Sequence, residues 1–129
     1  HLSVRTPNGS PLALIEYSPT SYDFTTAQAQ AFGTNPMKQI STNPDVFALW
    51  GGNANANQNV RASGPSNDLG QLLNTCLNGV PGAVLSNQYS NCDLNMNGNI
   101  RYSGPANDAG FLLNSVLGGV STTVVNEQF

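Results

Sequence analysis

The chain has 129 residues, a formal net charge of −3 and only four Lys and Arg. That length suits one domain, or two small units sharing a core. So few cations leave no basic patch for nucleic acid, and no apolar run approaches the ~18 residues that span a bilayer. Charged residues make up 9% of the chain, against a typical ~25%, while asparagine occurs 18 times, so the polarity comes from amides. No leader segment is visible, and a start at His1 reads as a processed or trimmed end.

Residues 1–52 read as β-rich. Leu2-Ser3-Val4-Arg5 alternates apolar and polar as a half-buried strand does, and Pro7-Asn8-Gly9-Ser10-Pro11 is a turn cluster. The apolar run 12–17 is ended by Ser18-Pro19, and Tyr22-Asp23-Phe24-Thr25 is a third strand candidate. Residues 26–31 are short and rich in Ala and Gln, and leave helix and loop both open. A turn at Gly33-Thr34-Asn35-Pro36 precedes a strand at 37–40, which Asn43-Pro44 breaks. Asp45 to Trp50 then leads into Gly51-Gly52. Trp50 reads as a core or boundary aromatic, with a sugar-stacking platform as the sharper alternative.

Asn53-Ala54-Asn55-Ala56-Asn57-Gln58-Asn59-Val60 follows, and 40 residues later Asp93-Leu94-Asn95-Met96-Asn97-Gly98-Asn99-Ile100 lies over it. Arg61-Ala62-Ser63-Gly64-Pro65-Ser66-Asn67-Asp68 likewise matches Arg101-Tyr102-Ser103-Gly104-Pro105-Ala106-Asn107-Asp108, and 16 of 28 aligned positions from 53 to 80 are identical. This is an internal duplication. Oxygen-bearing side chains at alternate positions, then a tight turn, then a β-branched apolar residue, are what a loop around a Ca²⁺ ion requires, because this hard cation takes six to eight oxygens. Position twelve, where a clamping acid is usual, holds Gly64 or Gly104, so the acid is expected four places on, at Asp68 or Asp108. The second site then comprises Asp93, Asn95, Asn97, the Asn99 carbonyl and Asp108. The first comprises Asn53, Asn55, Asn57, the Asn59 carbonyl and Asp68. Gln58 stands where Gly98 makes the sharp turn, which predicts a strained turn in the first copy. So few carboxylates predict weak binding, in the ~10⁻⁴ to 10⁻³ M range of extracellular modules, the first site the weaker. The alternative for both loops is an Asn-rich turn that satisfies its own backbone.

After each loop Asp68 or Asp108 opens a segment with apolar residues at helical spacing, namely Leu69, Leu72, Leu73, Cys76, Leu77 and then Leu112, Leu113, Val116, Leu117. The aspartates are expected as N-terminal caps, with Asn78-Gly79 and Gly118-Gly119 as stops. Cys76 and Cys92 have Val116 and Gly52 as counterparts, so they are not part of the repeat. In a secreted chain they are expected to pair and staple the first helix to the second loop.

Nothing points to an enzyme. The one histidine is His1, which lacks the second histidine that an N-terminal copper site needs. Cys76 has no histidine partner, and no G-x-S-x-G, H-E-x-x-H or phosphate loop occurs. Glu16, Asp23, Asp45 and Glu127 read as surface or turn acids. Glu16 and Asp23 are the pair that could add an ion site in the β part.

The duplicated D-x-N-x-N-G-x-I loop with its short helix resembles the dockerin and EF-hand-like calcium repeats over residues 53–120. It departs from them in lacking the twelfth-position acid and in Gln58. His1-Leu2-Ser3-Val4-Arg5-Thr6, Asp23-Phe24-Thr25, Phe32-Gly33-Thr34, Ala48-Leu49-Trp50-Gly51-Gly52-Asn53 and the two S-G-P-x-N-D segments are similar to the C-terminal region of secreted Bacteroidota surface proteins. That resemblance covers nearly the whole chain and implies an extracellular, cell-surface location. Those regions usually carry D-x-N-x-D-G loops, where this chain has exchanged several acids for asparagine.

The expected fold is α+β. A small N-terminal β-sheet (1–52) packs with a duplicated calcium-loop and short-helix unit (53–129, repeats 53–92 and 93–129). The expected function is an extracellular calcium-binding structural protein that self-assembles into filaments or tubes. Its nearly uncharged surface keeps repulsion between copies low, and the second repeat stops at Phe129, where the first runs on into another loop. The alternative is a calcium-dependent, dockerin-like adhesion or anchoring module of a larger surface protein, docking to another surface protein or a glycan.

Overall fold

The computed structural model describes residues 23–31 and 33–126, so the strands expected at 2–5 and 12–17 lie outside the described residues. The architecture is small α+β: among the described residues, six strands form three two-stranded antiparallel sheets, with two short helices. Contacts divide the chain into one unit of Gly51–Asn126 and another of His1–Trp50 with Glu127–Phe129, so the division falls just ahead of the change of character read at residue 52.

In the first unit, β1 (Met37–Thr42) and β2 (Asp45–Leu49) form a hairpin that reverses at Asn43–Pro44, whose peptide bond is cis. Gln39 Nε2 braces the reversal by donating to Asp45 Oδ1 at 2.8 Å. The expected strand at Tyr22–Thr25 does not form over its described residues. Asp23 Oδ1 accepts both the Thr25 N–H (2.8 Å) and the Thr25 hydroxyl (2.6 Å), a local turn that competes with extended pairing. Residues 26–31 hold a single 3₁₀ turn, Gln28–Gln30, fixed by Gln30 Oε1, which accepts from Ala27 N at 3.0 Å and Thr26 Oγ1 at 2.7 Å. Gln28 then reaches across to both backbone polar groups of Met37, which is 1% exposed. Trp50 is half-buried; its Nε1 donates to Asn35 O at 2.9 Å and Lys38 Nζ stands 5.9 Å from its ring centroid.

The Gly51–Asn126 unit is built twice. The first copy runs β3 (Asn59–Arg61), α1 (Asp68–Gly70) with a π-helical continuation (Gln71–Cys76), and β4 (Val84–Ser86). The second runs β5 (Asn99–Arg101), α2 (Asp108–Gly110) with its own continuation (Phe111–Val116), and β6 (Val124–Asn126). The continuations are wider than α-helix because Leu77 N and Leu117 N donate five residues back, to Leu72 O (3.2 Å) and Leu112 O (3.0 Å). Strand pairing crosses between copies: β3 pairs with β6, and β4 with β5. The core interleaves equivalent positions from each, with Val60 and Ile100, Leu72 and Leu112, Leu77 and Leu117 all buried. Each such Leu contributes roughly 1.5–3 kcal/mol by leaving water. Gly52 belongs to this core: a Cβ there would sit 2.6 Å from Leu112 Cδ1, and the backbone holds φ +103°. The expected disulfide is present between Cys76 and Cys92, with Cα atoms 6.5 Å apart.

The duplicated loops as a candidate site

Each loop is folded by its own side chains. In the second copy Asp93 Oδ1 accepts the Asn97 N–H at 3.0 Å, Asp93 Oδ2 the Gly98 N–H at 2.8 Å, and Asn95 Oδ1 the Asn97 N–H at 3.1 Å. Asn97 Oδ1 in turn accepts from Asn99 N at 2.8 Å. In the first copy Asn53 Oδ1 and Asn55 Oδ1 accept from Asn57 N at 3.2 and 3.1 Å, and Asn57 Oδ1 from Asn59 N at 3.1 Å. Short oxygen-bearing side chains that bond the backbone two residues on curl a chain into successive turns. Alternate side chains therefore come to one side of the loop.

A second set of bonds closes the ring. Asn95 and Asn97 both donate from Nδ2 to the Ala106 carbonyl, at 2.9 and 3.2 Å, and Asn55 and Asn57 do the same to the Ser66 carbonyl, at 2.7 and 3.1 Å. Ser66 and Ala106 hold left-handed backbones, φ +52° and +50°. The sequence did not point to these carbonyls as the loop's acceptors; a backbone oxygen leaves no residue signature, and the two side chains differ.

Asp68 and Asp108 were expected to complete the oxygen sets and to cap the helices. The capping role falls one residue earlier than expected. Both are fully buried, and the caps are Asn67 and Asn107, whose Oδ1 atoms accept from Gly70 N (2.7 Å) and Gly110 N (2.6 Å). Glycine suits that third position, since a Cβ there would come within 3.2 Å and 3.0 Å of the capping oxygens. Asp68 accepts from Ala54 N and Arg61 N, both at 2.8 Å. Asp108 accepts from Leu94 N (2.8 Å), Asn95 N (3.2 Å) and Arg101 N (2.9 Å). Burial pushes both carboxyls above the usual carboxylate range, and the backbone N–H groups pull the other way. Each aspartate thus clasps the start of its loop to the strand that ends it.

Arginine braces the outer side. Arg61 and Arg101 donate from Nη1 to Pro65 O (3.2 Å) and Pro105 O (2.8 Å). Arg61 Nε also donates to Asn59 Oδ1 at 2.9 Å, whereas the Asn99 amide turns toward Asn97 and Arg101 Nε is buried without a partner. The sixth positions share a left-handed backbone, Gly98 at φ +79° and Gln58 at +68°, so the turn strained by a side chain in the first copy is the one the sequence predicts.

The donors gathered at each loop are oxygens of amides and carbonyls, with the Asp93 carboxylate in the second copy only. That chemistry suits a hard cation rather than a soft one. No group of three or more His, Cys, Asp or Glu side chains gathers at one point among the described residues. An open hollow lies beside each loop, about 480 Å³ next to Asn55 and Asn57 and about 540 Å³ next to Asn95 and Asn97. The hollows are lined by equivalent positions, with Ser66, Gln71 and Thr75 in the first replaced by Ala106, Phe111 and Ser115 in the second.

Compared with known protein families, curated proteins and solved structures, the chain matches none. Among the described residues no helix is long and apolar enough to cross a membrane.

Proposed function

We propose that this chain is an extracellular calcium-binding structural protein of the dockerin-like repeat type, which assembles with copies of itself into filaments or tubes. One observation carries the calcium reading: the side chains of Asn95 and Asn97 and the carbonyl of Ala106 converge within hydrogen-bond distance, next to Asp93, and the arrangement is repeated at Asn55, Asn57 and Ser66. An amide presents oxygen from one end and N–H₂ from the other. Turning the Asn95 and Asn97 amides about would direct their oxygens to the point where their nitrogens now meet Ala106 O, at the cost of the Asn97 and Asn99 N–H bonds those oxygens now accept, a cost in keeping with weak binding. Asp93, Asn95, Asn97 and the Ala106 carbonyl would then hold the ion in the second loop, with Asn53, Asn55, Asn57 and the Ser66 carbonyl in the weaker first. The Asn59 and Asn99 carbonyls belong to the same reading. Asp68 and Asp108 support these sets from behind, by fixing the loop ends. A bound Ca²⁺ supplies charge neutralisation and cross-linking of the loop, not reaction chemistry, and we assign the chain no catalytic role.

Isothermal titration of the full chain with CaCl₂ tests the first part. Saturable binding in the ~10⁻⁴ to 10⁻³ M range, weakened at least about tenfold by Asp93→Asn, is the expected result. No heat at 10 mM calcium would remove the ion from the proposal. Negative-stain electron microscopy in millimolar calcium and then in excess chelator tests the second part. Filaments that dissolve on chelation support it, and isolated particles in both conditions overturn it.

A second reading, a calcium-dependent anchoring module that docks to another surface protein or a glycan, is favoured by two exposed side chains, one just ahead of the second loop and one within it. Tyr89 and Met96 are 107% and 86% exposed, and a large side chain held fully in water beside a loop is suited to contacting a partner. Loss of partner capture on Tyr89→Ala with unchanged calcium binding would separate this reading from self-assembly.

A further inference from the structure

The Gly51–Asn126 unit contains the same junction twice, and only one copy is held covalently. β4 meets β5 through Val84↔Arg101, Leu85↔Ile100 and Ser86↔Asn99, and β6 meets β3 through Val124↔Arg61, Val125↔Val60 and Asn126↔Asn59. In each case the closing strand of one repeat lies on the loop strand of the other, in the same register. The bonds beside them repeat as well: Ser103 Oγ donates to Pro81 O at 2.9 Å, and Ser63 Oγ to Ser121 O at 2.8 Å. Behind β4·β5 stands the Cys76–Cys92 disulfide. Behind β3·β6 the equivalent positions are Val116 and Gly52, where a Cβ on Gly52 would lie 3.7 Å from Val116 Cγ1, in contact but without a bond. The chain between β4 and β5 is residues 87–98; the chain between β3 and β6 is residues 62–123.

We propose that a second copy of this chain takes the place of the molecule's own β6 on β3. The unstapled junction opens, β6 of one molecule pairs with β3 of the next, and β4·β5 with its disulfide stays closed. This rests on the self-assembly reading and gives it an interface. An exchanged junction makes the contacts of the closed one, so the balance is set by the concentration of neighbouring chains against the effective concentration of the molecule's own strand. Three residue pairs of the ladder must part, together with the Ser63–Ser121 bond and the buried contact of Val60 and Val125. Because donor strand and acceptor strand lie on different repeats, the contact is head-to-tail, and an arrangement of that kind that does not close on itself grows as a fibre.

Asn59 and Asn126 face each other, and the Asn59 N–H goes to Asn57 Oδ1 rather than across the ladder. In antiparallel pairs without mutual N–H···O bonds the Cα atoms are closest, and a disulfide can bridge them. The test uses the full chain carrying Asn59→Cys or Asn126→Cys alone. The two variants are mixed at high concentration in millimolar calcium and mildly oxidised. The expected result is a shift from one-chain to two-chain mass on a non-reducing gel that neither variant shows alone, with mass spectrometry mapping the bond to positions 59 and 126. A mixture that stays at one-chain mass, while a chain carrying both cysteines closes on itself, would overturn the exchange. Filaments without the mixed cross-link would also overturn it and leave self-assembly standing. The mixed cross-link without filaments would support exchange as a closed dimer and overturn the filament.

Discussion

Asp108 Oδ2 accepts the backbone N–H of Arg101 at 2.9 Å, so the residue that opens α2 is tied to the strand seven positions before it. The other oxygen takes Leu94 N and Asn95 N, and Asp68 repeats the clasp with Arg61 and Ala54. All these partners are donors, and an ionised carboxylate is the side chain of this shape that accepts on both oxygens. Asp68→Asn and Asp108→Asn therefore replace one acceptor by an N–H₂ group facing a buried N–H. Each is expected to cost about 1–3 kcal/mol in spite of its near-identical shape. Urea unfolding of the two variants checks this; midpoints equal to that of the parent chain would show that the clasps carry no stability.

Burial raises the Asp68 and Asp108 carboxyls above their unfolded value of 3.8. The sign follows. The folded state holds these two protons more tightly than the unfolded chain, so the stability linked to their protonation is fully present below pH 3.8 and is lost as pH rises through their folded values, while the N–H bonds to the carboxylates persist. Asp23 runs the other way, because hydrogen bonds from the Thr25 hydroxyl and amide hold it low, and its contribution is lost as pH falls. Carboxyl ¹³C titration in chelator is expected to place the Asp68 and Asp108 midpoints above the Asp23 midpoint. The reverse order would contradict the assignment.

Gln58 takes a left-handed backbone at φ +68°, and at its counterpart Gly98 no atom lies within 4 Å of an added Cβ. The strain at 58 is then one of backbone conformation and not of crowding. Gln58→Gly relieves the left-handed penalty of about 1–2 kcal/mol, less what glycine adds to the entropy of the unfolded chain, for a net gain of up to about 1 kcal/mol. The reciprocal Gly98→Gln is expected to lose a similar amount. Thermal melts of the pair settle the sign, and a destabilised Gln58→Gly would mean that the Gln58 side chain makes a contribution of its own.

Cys76 and Cys92 are separated by 16 positions, and closing a loop of that size stabilises a fold by about 3 kcal/mol in the chain-entropy account. In a domain of this size that corresponds to a fall in Tm of roughly 12–24 °C on removal. Calorimetry of the Cys76→Ser/Cys92→Ser chain checks this. An unchanged Tm would show that the interleaved core alone sets the stability of the unit.

The 40-residue repeat, the turn at Asn43–Pro44 and the Cys76–Cys92 pair were legible because each rests on residue types at a fixed spacing. Other features rest on groups that spacing does not encode. Asn67 and Asp68 are adjacent, both suit a cap, and only the fold decides that Asn67 caps while Asp68 turns inward. The π-helical segments depend on where Leu77 N and Leu117 N find an acceptor, which apolar periodicity leaves open. The crossed pairing of β3 with β6 and β4 with β5 joins strands of three residues, too short to carry an alternation. The Ser66 and Ala106 carbonyls that receive the loop asparagines carry no side-chain signature at all.

The register of β3 and β6 also bears on how the unit responds to force. Asn59 faces Asn126, so the chain arriving from Gly51 and the chain leaving past Asn126 depart from the same end of the ladder. Tension applied at those two points pulls the rungs open one after another, in the manner of a zip, where a ladder gripped at opposite ends would resist in shear. The unit yields first at β3·β6, while the stretch between Cys76 and Cys92 cannot lengthen at all until a covalent bond breaks. Built into a load-bearing array, such a unit is a soft link in series with an inextensible one.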